Sequence, residues 1–276
     1  MTTARTSESI TDEDIYLFQQ KILSYYTQYK RHLPWRQTTD PYHILLSEFM
    51  LQQTQVSRVV IYFQQWITQW PTIQDLAQAP RSQVLHAWMG LGYNSRAVRL
   101  HQTAHIICEK YHGDILRAMH HFKDLPGIGP YTATAVRIFA ANEDVVTVDT
   151  NIRRILIYEF HLPETIPDNA LWTLARRCLP KGKSRDWHNA LMDYGSQVLT
   201  ARKTRIPPKT TQSTFEGSDR QLRGQILRIV LDSPVSPSHL GEILHINDDR
   251  LHIILGQLQK DEILIEQEGK LKIKES

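Results

Sequence analysis

The sequence predicts a mainly α protein in which a long all-helical body precedes a small C-terminal α+β unit. Apolar residues recur at helical spacing from residue 11 to about residue 200, and no sustained strand alternation interrupts them. The stretch "KTRIPPKTTQSTFEGSD" at 203–219 is rich in Pro, Thr and Ser, lacks periodicity, and reads as a linker. Beyond it come three short helices and a hairpin, the order of a winged helix-turn-helix. The expected division is 1–202, 203–219 and 220–276.

Taken in order, "DEDIYLFQQKILSYYTQY" sets Ile15, Phe18, Ile22 and the Tyr25/Tyr26 pair on one face behind an acidic first turn. "PYHILLSEFMLQQTQVSRVVIYFQQWITQW" reads as two helices or one bent helix, closed by Pro71. "PTIQDLAQAPRSQVLHAWMGLGY" gives two short helices, the second opening at Pro80 and ending at Gly90–Gly92. "SRAVRLHQTAHIICEKYHG" is amphipathic and stops at Gly113. In the C-terminal part "RQLRGQILRIVLD", "HLGEILH" and "NDDRLHIILGQLQKDE" are helices, and "ILIEQEGKLKIK" is a hairpin turning at Glu268–Gly269.

Composition excludes several classes. At 41% hydrophobic and 22% charged the 276-residue chain is ordinary for a soluble globular protein. No apolar run nears the roughly 20 residues that span a bilayer, and the N-terminus lacks an apolar signal core. No membrane association is expected, and a cytoplasmic location is. Two distant cysteines, Cys108 and Cys178, rule out a disulfide framework and a cysteine metal site. Charge is uneven: residues 218–276 carry 8 basic against 10 acidic residues, whereas 175–209 carry nine against two. The basic block suits a polyanion; the mild acidity of the C-terminal unit suits packing or protein contact as well as DNA.

Three places carry chemistry. In "ILLSEFMLQQTQV" a lone carboxylate, Glu48, borders the apolar stripe Leu45/Phe49/Val56, where an unpaired charge is costly. In "LPGIGPYTATAV", Gly127 and Gly129 bracket Ile128 and precede a helix, a pattern that leaves amides at a helix N-terminus uncovered for a phosphate. A plain interhelical loop is the alternative. In "VVTVDTNIRRIL", Asp149 stands at the start of a helix and could serve only as its N-cap. Two carboxylates in unlike surroundings are what N-glycosidic cleavage needs. Apolar neighbours favour protonated Glu48 as an acid, and helix amides favour ionised Asp149 beside a positive sugar.

Taken together, "LPWRQTTDPYHILLSEFMLQQTQV", "MGLGYNSRAVRLH", "LPGIGPYTATAV" and "VDTNIRRIL" resemble the helix-hairpin-helix (HhH-GPD) DNA glycosylases, most closely the MutY-type adenine glycosylases, over residues 33 to about 200. The resemblance implies a two-lobed helical fold with a cleft into which the target base flips. It implies that Glu48 protonates the leaving adenine and helps activate water, that Asp149 stabilises the oxocarbenium ion, and that Tyr131 and Asn151 line the same site. Trp35 and Arg36 match the border of the base pocket, and Gln52, Gln53 and Tyr93 the side chains that meet the opened duplex. Gly127, Ile128, Gly129, Tyr131 and Thr132 match the hairpin that grips the DNA backbone. Strand-cutting relatives carry a lysine where this chain has Tyr131, so a hydrolytic, monofunctional enzyme is expected.

The chain departs from the pattern at three places. After "NALMDYGSQVLTARK" these relatives usually carry four cysteines holding a [4Fe–4S] cluster; here Leu199 stands at the first of those positions, so no cluster is expected. Arg202, Lys203, Arg205 and Lys209 remain as candidate phosphate contacts. The C-terminal unit differs from the larger β-rich domain that recognises 8-oxoguanine, and Asn94 replaces a second tyrosine in "GLGYN". The expectation is a nucleoid-associated, monomeric enzyme that removes adenine paired with guanine or 8-oxoguanine from double-stranded DNA. Thymine or uracil removal from G mispairs, and lesion binding without catalysis, are the alternatives.

Overall fold

The computed structural model describes residues 5–207 and 214–275, which form two compact units. One comprises Met1–Leu45 with Ile128–Thr211, the other Leu46–Gly127 with Gln212–Ser276. The chain passes between them inside the helix Pro41–Leu51 and at the Gly127–Ile128 bond.

The first unit is helical. Asp12–Tyr29 begins with the reciprocal Thr11/Asp14 capping box, which satisfies two amides of the first turn. Its Phe18 and Ile22 are buried with Ile152, Ile155, Leu171, Leu174 and Trp187, contributed by the helices Thr150–Glu159, Asp168–Cys178 and Ser184–Gln197. Phe18 packs edge-on against Phe160 and Trp187 at centroid distances of 5.0 and 5.5 Å. The helix Pro130–Ala141 completes this half of the fold.

The second unit packs Val56–Gln69, Ile73–Gln78, Arg81–Trp88 and Ser95–Tyr111 around Phe63, Trp66, Leu85 and Trp88. The long apolar run is two helices, Pro41–Leu51 and Val56–Gln69, broken at 52–55. Its C-terminal part has the expected helices Asp219–Asp232, Pro237–Leu244 and Asp248–Lys260, then antiparallel strands Leu264–Gln267 and Lys270–Ile273. Glu268 and Gly269 both take positive φ, as a two-residue hairpin turn requires. An isolated bridge from Val235 to Leu271 adds a third edge, which suits a winged helix.

These C-terminal residues group with 46–127 rather than standing apart. The Glu275 carboxylate accepts from the amides of Arg81 (2.7 Å) and Ser82 (3.2 Å), capping the helix Arg81–Trp88, which has no side-chain cap of its own. Buried Arg81 donates to the carbonyls of Lys274 (3.0 Å) and Glu262 (3.3 Å), and Gln102 bonds the Glu262 carboxylate. Of the expected linker 203–219, residues 203 and 204 belong to the helical turn Ala201–Thr204 and a helix starts at Asp219; residues 208–213, Lys209 among them, lie outside the described residues.

Candidate active site

Asp149 caps the helix Thr150–Glu159, its Oδ1 accepting the Ile152 amide at 2.7 Å. Its Oδ2 accepts from Asn151 Nδ2 at 3.1 Å. Asn151 is held in turn by Arg154, whose NH2 donates to Asn151 Oδ1 (2.6 Å) and to the Gly195 carbonyl (3.0 Å), while its Nε donates to the Leu199 carbonyl (2.7 Å). A buried guanidinium thus orients the amide that orients the carboxylate. Gly195 makes room for this arrangement, because a Cβ there would stand 3.1 Å from both Asn151 Cβ and Ile155 Cδ1. The approach to Asp149 is fixed by His188. Its Nδ1 donates to the Ser184 carbonyl (2.7 Å), its Nε2 accepts the Thr147 amide (3.2 Å), and burial pushes its pKa down to about 4, so the ring stays neutral.

The helix amides expected to favour ionised Asp149 are opposed by burial. Although part of its surface is accessible, burial pushes its pKa up; the Ile152 amide, the Asn151 side chain and the Arg154 charge oppose that rise without cancelling it. A group that must be anionic then sets the acidic limit of activity, and the rate falls as pH drops through its pKa. Asn151→Ala removes one opposing bond. The acid limb of single-turnover base release should move to higher pH, and the neutral rate should fall roughly tenfold, the worth of one bond to a charged group. An unmoved limb would remove Asn151 from this role.

Also in this unit, Tyr131 is 37% exposed on the first turn of Pro130–Ala141, reachable by a ligand at that helix end. Thr132 has a buried side chain, so only its backbone can meet a phosphate. Trp35 is buried. Arg36, expected beside the base, commits its NH1 to the buried Asp193 carboxylate at 2.8 and 2.9 Å, and Arg31 binds the same group. Burial works against that charge, but the two arginines outweigh it and hold Asp193 below the usual carboxylate range.

The hairpin "LPGIG" crosses the boundary between the units. Gly127 requires glycine twice over: its φ is +77°, and a Cβ would meet Arg99 Cβ at 3.0 Å and Phe49 Cε1 at 3.1 Å. Gly129 does not, since its φ of −97° suits any residue; open space around it leaves the helix N-terminus uncovered beside buried Ile128.

In the second unit Glu48 is half-buried between buried Ser47 and Phe49 on the helix Pro41–Leu51. Gln52 and Gln53 follow in the break after that helix, Gln53 exposed with φ +56°. Tyr93, 37% exposed with φ +49°, ends the loop that contains Gly90 and Gly92, both at positive φ. One residue ties these segments together. Arg96, 6% exposed, donates through NH1 to the carbonyls of Phe49 (2.6 Å), Met50 (3.2 Å) and Gln52 (2.7 Å), and through NH2 to Thr54 Oγ1 (3.2 Å) and the carbonyls of Leu91 (3.1 Å) and Gly92 (2.9 Å). Burial brings its pKa down to about 10, so it remains a cation capping the C-terminus of the Glu48 helix.

Sequence reading missed Arg96, Arg154, Gly195, Asp193 and His188. The available signal was a charged residue on an apolar helix face, as with Arg154 between Ile152 and Ile155.

The pattern described as HhH-GPD superfamily base excision DNA repair protein matches residues 46–177. An adenine DNA glycosylase of Mycolicibacterium smegmatis is 37% identical over 246 residues, 81% of this chain and 84% of that one. A thymine/uracil-DNA glycosylase of Methanothermobacter thermautotrophicus is 31% identical over 71% of this chain and 90% of its own length. The solved structure of a thermostable thymine-DNA glycosylase superposes with a TM-score of 0.65 at 31% identity, covering 70% of this chain and 90% of that one. The chain belongs to the HhH-GPD superfamily of base excision DNA repair proteins. Within it the chain is a DNA N-glycosylase of the MutY-like kind.

Proposed function

We propose that the protein, acting as a monomer on double-stranded DNA, hydrolyses the N-glycosidic bond of adenine paired with guanine or 8-oxoguanine. The observation that carries the reading is Asp149, a partly accessible carboxylate at a helix N-terminus, held by the Ile152 amide and by Asn151, which Arg154 holds in turn. Glu48 gives its proton to N7 of the base, the C1′–N9 bond breaks, and the sugar becomes an oxocarbenium ion that Asp149 stabilises. Water adds to C1′, its proton passes to Glu48, and an abasic site remains. Tyr131 offers no amine for a Schiff base, so the strand is left uncut.

The reading needs no [4Fe–4S] cluster. Four thiolates cannot come from two cysteines, and burial pushes the Cys178 thiol up to about 12. Leu199, at the position of the first ligand, is instead buried in the first unit's core together with Ile206. No helix among the described residues is long and apolar enough to cross a membrane, and the reading places the enzyme in the cytoplasm at the nucleoid.

Thymine or uracil removal is the second reading, favoured by the 31% identity to the thymine/uracil enzyme. A panel of duplexes differing in one mispair, scored for abasic sites, decides. Adenine release from A·G and A·8-oxoguanine is expected; release of thymine or uracil alone would replace the first reading with the second.

A further inference from the structure

The C-terminal residues reach the loop that carries Tyr93. Arg220, one residue into the helix Asp219–Asp232, donates through NH1 to the Tyr93 hydroxyl at 2.6 Å, and its Cζ stands 5.4 Å from the ring centroid. Its NH2 donates to the Thr214 carbonyl at 3.3 Å. Arg96 Cζ lies 5.8 Å from the same ring, so two guanidiniums attend one exposed aromatic. The backbone of the loop is held from within, by Arg58 on the Gly90 carbonyl and by Arg96 on those of Leu91 and Gly92, so what Arg220 adds is a hold on the Tyr93 side chain. The docking that delivers Arg220 is anchored elsewhere, by Glu275 on the amides of Arg81 and Ser82 and by Arg81 on the carbonyls of Lys274 and Glu262. The third helix of the winged unit, which would have to enter a groove, begins with Asp248 and Asp249, charges that repel phosphate.

We propose that Arg220 is a positioning residue for Tyr93: the C-terminal unit serves to hold an aromatic wedge against the opened duplex, not to read DNA through its own helices. This rests on the glycosylase reading, in which Tyr93 meets the opened duplex. A wedge pays an unstacking cost on entry, and a ring already oriented loses less freedom in doing so. The hydroxyl bond fixes the ring's tilt, and the guanidinium keeps positive charge beside the strand.

The test uses the full chain carrying Glu48→Gln, which should bind without cleaving, and a duplex with 2-aminopurine next to the adenine of an A·G mispair. Unstacking raises the probe's fluorescence. Arg220→Ala should cut that rise and weaken duplex binding about tenfold, as expected for losing a charge-assisted bond. Tyr93→Phe should reproduce most of the loss, and Arg220→Ala added to Tyr93→Ala should cost less than about twofold more. A full further tenfold loss in the Tyr93→Ala background would overturn the proposal, because Arg220 would then act directly on phosphate. So would unchanged unstacking in Arg220→Ala. If Arg220→Ala lowers the melting temperature, Tyr93→Phe decides, and parental unstacking there overturns it. Failure of the glycosylase reading would show separately, as no base release by the parent chain from any duplex.

Discussion

A chain with glutamine in place of Glu48 should bind a mispaired duplex as tightly as the parent and release base about 10³-fold more slowly, within the range that general acid catalysis supplies. The substitution keeps the size of the side chain and one hydrogen-bond acceptor, so the half-buried position between Ser47 and Phe49 is little disturbed. What is lost is the transferable proton. Duplex affinity of such enzymes comes mostly from backbone phosphates, so it should not depend on Glu48 and should fall steeply with salt in both proteins. Single-turnover base release and fluorescence anisotropy on the same duplex separate the two effects. Residual activity within tenfold of the parent would assign the acid to another group.

The largest effect on stability is expected at Arg96. Its six bonds reach the end of the Glu48 helix, the break containing Gln52 and Thr54, and the loop before Tyr93. Arg96→Met leaves five carbonyls and a hydroxyl to find new partners in a dry setting, a loss of about 3–5 kcal/mol of the kind seen when a buried charged group is removed from its partners. Arg96→Lys keeps the charge but not the planar fork, and should recover only part of this. Urea unfolding of the full chain measures both. A cost below about 1 kcal/mol for Arg96→Met would mean that the loops hold themselves. Because one guanidinium serves both loops, surviving Arg96→Met protein should also bind mispaired duplex more weakly.

Much of this was legible before the structure. Helical spacing placed Ile15, Phe18 and Ile22 in the core, and Glu268–Gly269 marked the hairpin, because burial period and turn chemistry are local properties. Glu48 and Asp149 stood out because a carboxylate next to apolar residues needs a reason. What was not legible depends on residues far apart in the chain. Nothing near Arg36 announces that Asp193 claims it, and nothing near Leu199 announces the bond from Arg154. Gly129 misled because its neighbour Gly127 does require glycine, and dihedral need cannot be told from open space by composition. The burial that opposes the helix amides at Asp149 was hidden for a related reason: a helix end is visible in sequence, but the depth at which it is buried is not.

The path of the chain through its two units has a consequence for how the protein is made. Residues 46–127 form an excursion of 82 residues between the two halves of the first unit. The helix Asp12–Tyr29 packs its Phe18 on Trp187 and bonds Gln19 to the Cys178 carbonyl, partners that follow it by about 160 residues and emerge only near the end of the helical body. Closing so long a loop costs entropy before any contact compensates, so the first unit has high contact order and waits for translation to pass residue 187. The helices of 46–127 have partners within reach from the start and can collapse while the ribosome is still at work. Asp12–Tyr29 meanwhile stays without the partners of its apolar face, Ile152, Leu171 and Trp187 among them.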